Sequence, residues 1–406
     1  MQSYCKMDEM INCYYIFVTP PLNTYRKRYG MDYLRVKGCE VKVIDVSPIV
    51  NPDAYHEVTA DLITERIVLD SKRKYKMYMK KTSDDAVFFI TTDFNFSSYF
   101  IHKAIRKRQK YGYLSRINTE FEFSAKPIRE RVGGLLHDFN IKRVVNSLFI
   151  RIPKRWLHLQ AADFVILGGN KNTELYLSIS YIDEHTLVKH IHSADYETCL
   201  QALKQDEHLM VGKYCVFLDQ YVPYHPDNIS AGIIVNPEKY YRELEAFFQF
   251  IEEKYSVKVV IAVHPRADYA KHPDVLSKYQ KIRFKTAELV RDSEFVIAHY
   301  SNSVSMAVIF EKPMILITTD DLNKYQVSVS AQKQIAELFG CSIYDISENI
   351  YENGLPEKIE IDTGKYEKFV YEYMCTQKGV LNKNVEAWEK QFYEIILSCK
   401  INQEHD

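Results

Sequence analysis

Residues 257–317 read VKVVIAVHPRADYAKHPDVLSKYQKIRFKTAELVRDSEFVIAHYSNSVSMAVIFEKPMILI, and the reading of this stretch decides the fold. Four short apolar runs (257–263, 282–284, 295–298 and 314–317) are of strand length, and between them 286–292 and 303–310 read as helices. Upstream, 214–218 reads as a strand. It is followed by a helix over 237–254, with Tyr240, Leu244, Phe247, Phe248 and Ile251 at helical spacing. Strands alternating with helices predict a doubly wound parallel sheet, an α/β architecture whose ligands lie at the carboxyl ends of the strands.

The first half is less regular. Strands are expected at 13–19, 41–46, 86–91, 164–167 and 187–191, and a helix at 99–108. The polar run 204–208 marks a boundary, which gives a first domain at 1–208, a second at 209–364, and terminal helices at 365–406 packing back on the first. A chain of 406 residues is long enough for two to three domains.

Apolar residues make up 46% and charged residues 26%, which is globular and not disordered composition. Lys and Arg total 53 against 54 Asp and Glu, so binding of nucleic acid through bulk positive charge is not expected. No apolar run is long enough to span a bilayer, and the N-terminus lacks a basic segment followed by an apolar core, which points to a cytoplasmic location. The eight cysteines are scattered without a C-x-x-C pair, as suits reduced thiols. His185, His190 and His192, near Asp183 and Asp195, fit a strand edge as well as a metal site, and no metal or other cofactor is expected.

The common dinucleotide, NTPase, hydrolase and zinc-protease signatures are absent. The chemistry-bearing residues instead stand where strands end. His264 and Arg266, in Val263-His264-Pro265-Arg266, lie directly after a strand and could both face a phosphate, although the same residues would serve a solvated loop. His299, Ser301, Asn302 and Ser303 lie between a strand and a helix, where small hydroxyl residues can meet an anion or simply cap the helix. Asp219, in FLDQ, and Asp227, in YHPD, follow the strand 214–218, and each carboxylate reads either as a general base or as a turn former. Thr286 and Glu288 open a helix facing the same end of the sheet, with Thr286 suited to plain capping. Basic clusters at 72–81 and 103–110 suit a solvated face, an anionic acceptor or an acidic membrane surface.

Taken together, the HP pair at His264-Pro265, the Tyr300-Ser301-Asn302-Ser303 helix opening and the following Glu311-Lys312-Pro313 resemble the bacterial sialyltransferases. Over residues 214–318 the chain also resembles proteins of bacterial surface-polysaccharide gene clusters, through its FLDQ, HPD, HPR and TAEL stretches. The resemblance implies a GT-B fold, two Rossmann-like domains facing across a cleft, and a CMP-activated nonulosonic acid, sialic acid-like or Kdo-like, as donor. It implies that His264 assists departure of the CMP phosphate and that Ser301 and Ser303 hold that phosphate. The family's acidic D/E-D/E-G triplet is missing, which leaves Asp227 or Asp219 as base, with Asp93 of the first domain as rival.

The expected function is inverting, metal-independent transfer of that sugar to a hydroxyl of a glycan or lipid-linked oligosaccharide, with peripheral contact at the inner membrane. The alternatives are the same fold with an NDP-sugar or CDP-alcohol donor, or a non-catalytic glycan- or nucleotide-binding protein.

Overall fold

The computed structural model describes residues 10–57, 61–115, 145–146, 148–149, 152, 154–171, 180–225, 228–229, 232–347, 354–376 and 388–401. They divide into two compact units. The first runs to Ile191 and takes in 388–401; the second begins at His192 and includes the described residues through Thr376.

The first unit is a seven-stranded sheet of β1 (Asn12–Phe17), β2 (Glu40–Asp45), β3 (Ile67–Val68), β4 (Val87–Ile90), β5 (Lys110–Ser115), β6 (Phe164–Gly168) and β7 (Leu187–Ile191). Its order is β3-β2-β1-β4-β5-β6-β7, with each neighbouring pair parallel. Side chains alternate across a strand, so β1 sends Cys13, Tyr15 and Phe17 to one apolar cluster and Tyr14 and Ile16 to another. That two-sided burial is why the central strands read as unbroken apolar runs.

Strand β5 differs from expectation. The helix expected over 99–108 is confined to Tyr99–Lys103, and the Tyr111-Gly112-Tyr113 that follows it is the middle of a strand. Gly112 is required there, since a Cβ would lie 2.2 Å from the Phe164 ring and 2.5 Å from the Phe164 carbonyl oxygen.

The second unit is a six-stranded sheet of β8 (Tyr214–Leu218), β9 (Lys258–Val263), β10 (Gln280–Arg283), β11 (Val296–Ala298), β12 (Met314–Thr318) and β13 (Ile343–Asp345). All pairs are parallel in the order β10-β9-β8-β11-β12-β13, so the winding reverses between β8 and β11. The helix Pro237–Tyr255 starts with Asn236 accepting the Lys239 amide at 3.1 Å and a proline in its first turn, and its C-cap Ser256 is left-handed. It buries Tyr240, Leu244, Phe247, Phe248 and Ile251 against the sheet, each worth about 2 kcal/mol of apolar burial.

Two boundaries differ from expectation. The division falls at 191/192 and not at 208/209, because the helix Ala194–Leu203 buries Tyr196, Cys199, Leu200 and Ala202 in the second unit's core. Of the terminal segment 365–406, the helical turns Thr363–Phe369 and Val370–Met374 also pack in the second unit through Tyr366, Phe369, Val370 and Met374. Among the described residues of that segment, Trp388–Ile401 alone joins the first unit, where Phe392, Ile395 and Ile396 are buried. No helix among the described residues is long and apolar enough to cross a membrane.

Candidate functional site

The winding reversal places the loops after β8, β9 and β11 at one end of the second sheet, where ligands of such sheets bind. Residues 219 and 220, directly after β8, tie the other two loops together. The Asp219 Oδ1 accepts the Tyr221 amide at 2.7 Å, and its Oδ2 accepts the Tyr269 hydroxyl at 3.1 Å and, more weakly, the His264 amide at 3.4 Å. On the other side, Gln220 Oε1 accepts the Tyr300 amide at 2.9 Å. Asp219 is only 5% exposed, and burial raises its pKa while these hydrogen bonds and the Lys281 charge oppose the rise. Its oxygens are thus already engaged inside the fold.

His264 follows β9, and Pro265 ends the strand behind it. The His264 Nδ1 accepts the Arg266 amide at 3.2 Å, which fixes the neutral ring with its proton on Nε2. The His225 ring stands 4.7 Å away in an edge-to-face arrangement. Burial, His225, Arg266 and Arg283 all disfavour the imidazolium and push the His264 pKa down to about 3. Arg283 ends β10 and donates to the Ala267 carbonyl. A neutral donor at a focus of positive potential is a place for an anion.

The serine loop continues from β11. Ser301 Oγ accepts the Ser303 amide at 3.2 Å, and Asn302 is exposed. Ser303 precedes the helix Val304–Ile309 without making a side-chain capping bond. Ser305 is turned inward and donates to Asp195 at 2.9 Å.

His299 departs from expectation. It is fully buried, its Nδ1 donates to the Ile317 carbonyl at 2.7 Å, and its Nε2 accepts the Tyr240 hydroxyl at 2.9 Å. Burial lowers its pKa to about 4, so it is a neutral pillar beneath the loop and not a nucleotide contact. Thr286 is the first residue of the helix Thr286–Asp292, and Lys285, not Thr286, occupies its N-cap position. Glu288 is paired with the Lys285 ammonium at 3.0 Å. Asp227 lies outside the described residues.

Sequence reasoning did not assign Gln220, Arg283 or His225 to the site. Gln220 and His225 stood in quoted motifs, but their roles follow from strand order, which brings residues far apart in sequence to one sheet end. Among the described residues no group of three or more His, Cys, Asp or Glu could hold a metal ion. His190 donates through Nδ1 to the Gly169 carbonyl, while His192 accepts the Thr376 amide.

No family model matches the chain. No curated protein matches it either. Solved structures do. A histidine-to-alanine variant of the wall teichoic acid polymerase TagF superimposes with a TM-score of 0.53 at 12% identity, covering 97% of this chain and 90% of that one. A histidine-to-asparagine variant of TagF soaked with CDPG gives 0.50 at 13% identity, with coverages of 97% and 90%. The Methanocaldococcus jannaschii UDP-GlcNAc 2-epimerase in complex with UDP-GlcNAc and UDP gives 0.47 at 12% identity, covering 96% and 99%. Likeness at these identities defines the fold: the chain is α/β, with two Rossmann-like units of the GT-B kind.

Proposed function

We propose that the chain is a GT-B glycosyltransferase that moves a nonulosonic acid from a CMP donor to a hydroxyl of a glycan or lipid-linked oligosaccharide, in bacterial surface-polysaccharide synthesis at the cytoplasmic face of the inner membrane. The observation that carries this reading is His264, a neutral imidazole at the end of β9 with Arg266, Arg283 and His225 around it. In the reaction the acceptor oxygen attacks the anomeric carbon from the side opposite the phosphate, which inverts that centre. The bond from carbon to phosphate oxygen breaks, and its electron pair leaves with CMP. His264 Nε2 donates a hydrogen bond to the departing phosphate, and Arg266, Ser301, Asn302 and Ser303 complete its binding. No divalent metal is required, because these cationic and hydroxyl groups neutralise a monophosphate leaving group.

The acceptor's proton goes to a carboxylate, which we assign to Asp227. Asp219 acts as a positioning residue, because its oxygens hold the Tyr221 amide and the Tyr269 hydroxyl. Glu288 orients Lys285, and Thr286 stands at the mouth of the same helix.

A second reading is a CDP-alcohol donor in the same fold, favoured by the CDPG soaked into one TagF structure. A thermal-shift panel of CMP, CDP, UMP, UDP and GDP, with and without EDTA, separates the two, since a ligand that binds the folded chain raises its apparent stability. Stabilisation by CMP above CDP, unchanged by EDTA, agrees with the first reading. Preference for CDP selects the second, and indifference to every nucleotide rejects both.

A further inference from the structure

We propose that the first unit carries a docking face for an anionic lipid bilayer, made of exposed apolar side chains edged by lysine and arginine. The inference rests on this face alone and not on the reaction assigned above.

At its centre is a chain of aromatic contacts. The buried Phe149 ring lies 5.8 Å from Phe96 and 5.5 Å from Tyr99. The Phe96 amide donates to Asn146 Oδ1 at 3.1 Å, and the Ile152 amide to the Phe149 carbonyl at 3.0 Å, so these segments are joined. From this base large apolar side chains stand in water: Phe96 is 50% exposed, Leu148 58% and Ile152 37%. Trp156, four residues beyond Ile152 in the turn Lys154–Leu157, is 65% exposed while Leu157 packs inward. Several apolar side chains held at the surface of one unit need a reason.

One cation lies against these aromatics and another against the neighbouring Phe100, which packs on Tyr75. The Lys103 ammonium stands 5.6 Å from the Tyr99 ring centre, and the Lys72 ammonium 5.3 Å from that of Phe100. Lys72 opens the helix Lys72–Met79, which buries Tyr75 and Met79 and exposes Lys72, Arg73, Lys74 and Lys76. Within the second cluster, Lys107 and Arg108 are exposed as well. Acidic neighbours are fewer: Asp70 pairs with Lys74, and Asp84 with Arg106. Apolar and aromatic side chains able to enter the headgroup boundary, next to cations able to meet lipid phosphates, are the two signals that stable peripheral attachment needs. A nucleic acid would use the cations but would leave Leu148 and Ile152 without purpose.

The chain has two tryptophans, at 156 and 388, so the Trp388→Phe chain reports on Trp156 alone. With vesicles of phosphatidylethanolamine and phosphatidylglycerol, the expected result is a blue shift of Trp156 emission, quenching by bromine-labelled acyl chains, and reversal by salt. Phosphatidylcholine vesicles should give little shift. In co-sedimentation of the otherwise unmodified chain, Phe96→Ser with Leu148→Ser should lower vesicle affinity roughly tenfold or more, with circular dichroism unchanged. Lys72→Glu with Lys103→Glu should do the same. Failure to sediment with anionic vesicles would overturn the proposal. So would sedimentation without a Trp156 shift, or heparin binding as tight as vesicle binding and indifferent to the Phe96 and Leu148 changes.

Discussion

Gln220 accepts the Tyr300 backbone amide at 2.9 Å, and so fastens the loop after β8 to the loop that carries the serines. One residue earlier, Asp219 fastens the same β8 loop to the tyrosine and histidine that follow β9. Residues 219 and 220 therefore hold both halves of the candidate site across the point where the sheet reverses its winding, and the site's geometry depends on two side chains that need not touch a ligand.

Gln220→Leu tests this arrangement. The substitution removes the acceptor of the Tyr300 amide, a loss of about 1 kcal/mol for a typical net hydrogen bond, more if the amide is left without water. The expected outcome is a roughly five- to tenfold weaker binding of CMP, read by calorimetry at about that energy. A variant that binds CMP as the unaltered chain does would remove Gln220 from the site.

Asp219→Ala should cost stability, because it orphans the Tyr221 amide and the Tyr269 hydroxyl inside the fold. The expected loss is about 2–4 kcal/mol in urea unfolding. Asp219→Asn keeps an oxygen acceptor but cannot take the acceptor's proton, so a positioning role predicts turnover within about tenfold of the unaltered chain, whereas loss of nearly all turnover with stability retained would make Asp219 the general base.

The pH dependence follows from His264. Its pKa is about 3 in the fold, against an ordinary value near 6.5, so between those limits the unfolded chain binds more protons than the folded one. His264 therefore contributes stability that is fully present above about pH 6.5 and is lost as pH falls toward 3. His264→Gln should flatten the stability profile across this window, as measured by thermal unfolding at stepped pH. Since the neutral ring would meet the phosphate through its Nε2 proton, His264→Gln, which keeps a side-chain donor, should bind CMP within about threefold of the unaltered chain, and His264→Ala should bind it roughly five- to tenfold more weakly. Equal CMP affinity in the unaltered chain and His264→Ala would separate His264 from the phosphate.

The second sheet was legible because its strands are short apolar runs set off by Pro265, by the Ser301-Asn302-Ser303 loop and by the charged pair before Pro313. Helix Pro237–Tyr255 was legible from the spacing of its buried stripe and from the proline in its first turn. In the first unit, the basic residues from Lys103 to Lys110 imitate the exposed face of a helix, whereas Tyr111, Tyr113 and Leu114 are buried in a strand paired on both sides, with Gly112 against the Phe164 ring. Position after a strand was enough to place His264 and Ser301 at the carboxyl end of the second sheet. Position could not tell that His299 turns inward to Tyr240, or that Arg283 and His225 converge on His264, since both depend on how neighbouring strands are ordered.

His299 gives a sharp contrast to His264. Its imidazole links the Tyr240 hydroxyl of helix Pro237–Tyr255 to the Ile317 carbonyl of β12, with no exposed surface. His299→Ala should lower unfolding stability by about 2–4 kcal/mol, through a cavity and two orphaned polar groups. At a temperature where the variant is folded, its CMP affinity should stay within about twofold of the unaltered chain, since additivity holds for groups that share no partner. A large loss of affinity with unchanged stability would return His299 to the nucleotide site.

Gly112→Ala tests the strand that the basic run concealed. The added methyl would meet the Phe164 ring at 2.2 Å and the Phe164 carbonyl oxygen at 2.5 Å, and the second of these belongs to the backbone of the neighbouring strand β6. A ring can rotate away, but a strand paired on both sides cannot move without breaking its ladder to β7 as well. The expected cost is about 3 kcal/mol or more, appearing as loss of soluble protein or a strongly lowered midpoint in urea. Soluble protein with an unchanged midpoint would mean that β5 and β6 leave room for a methyl group between Gly112 and Phe164, and that the close approach is not what reserves this position for glycine.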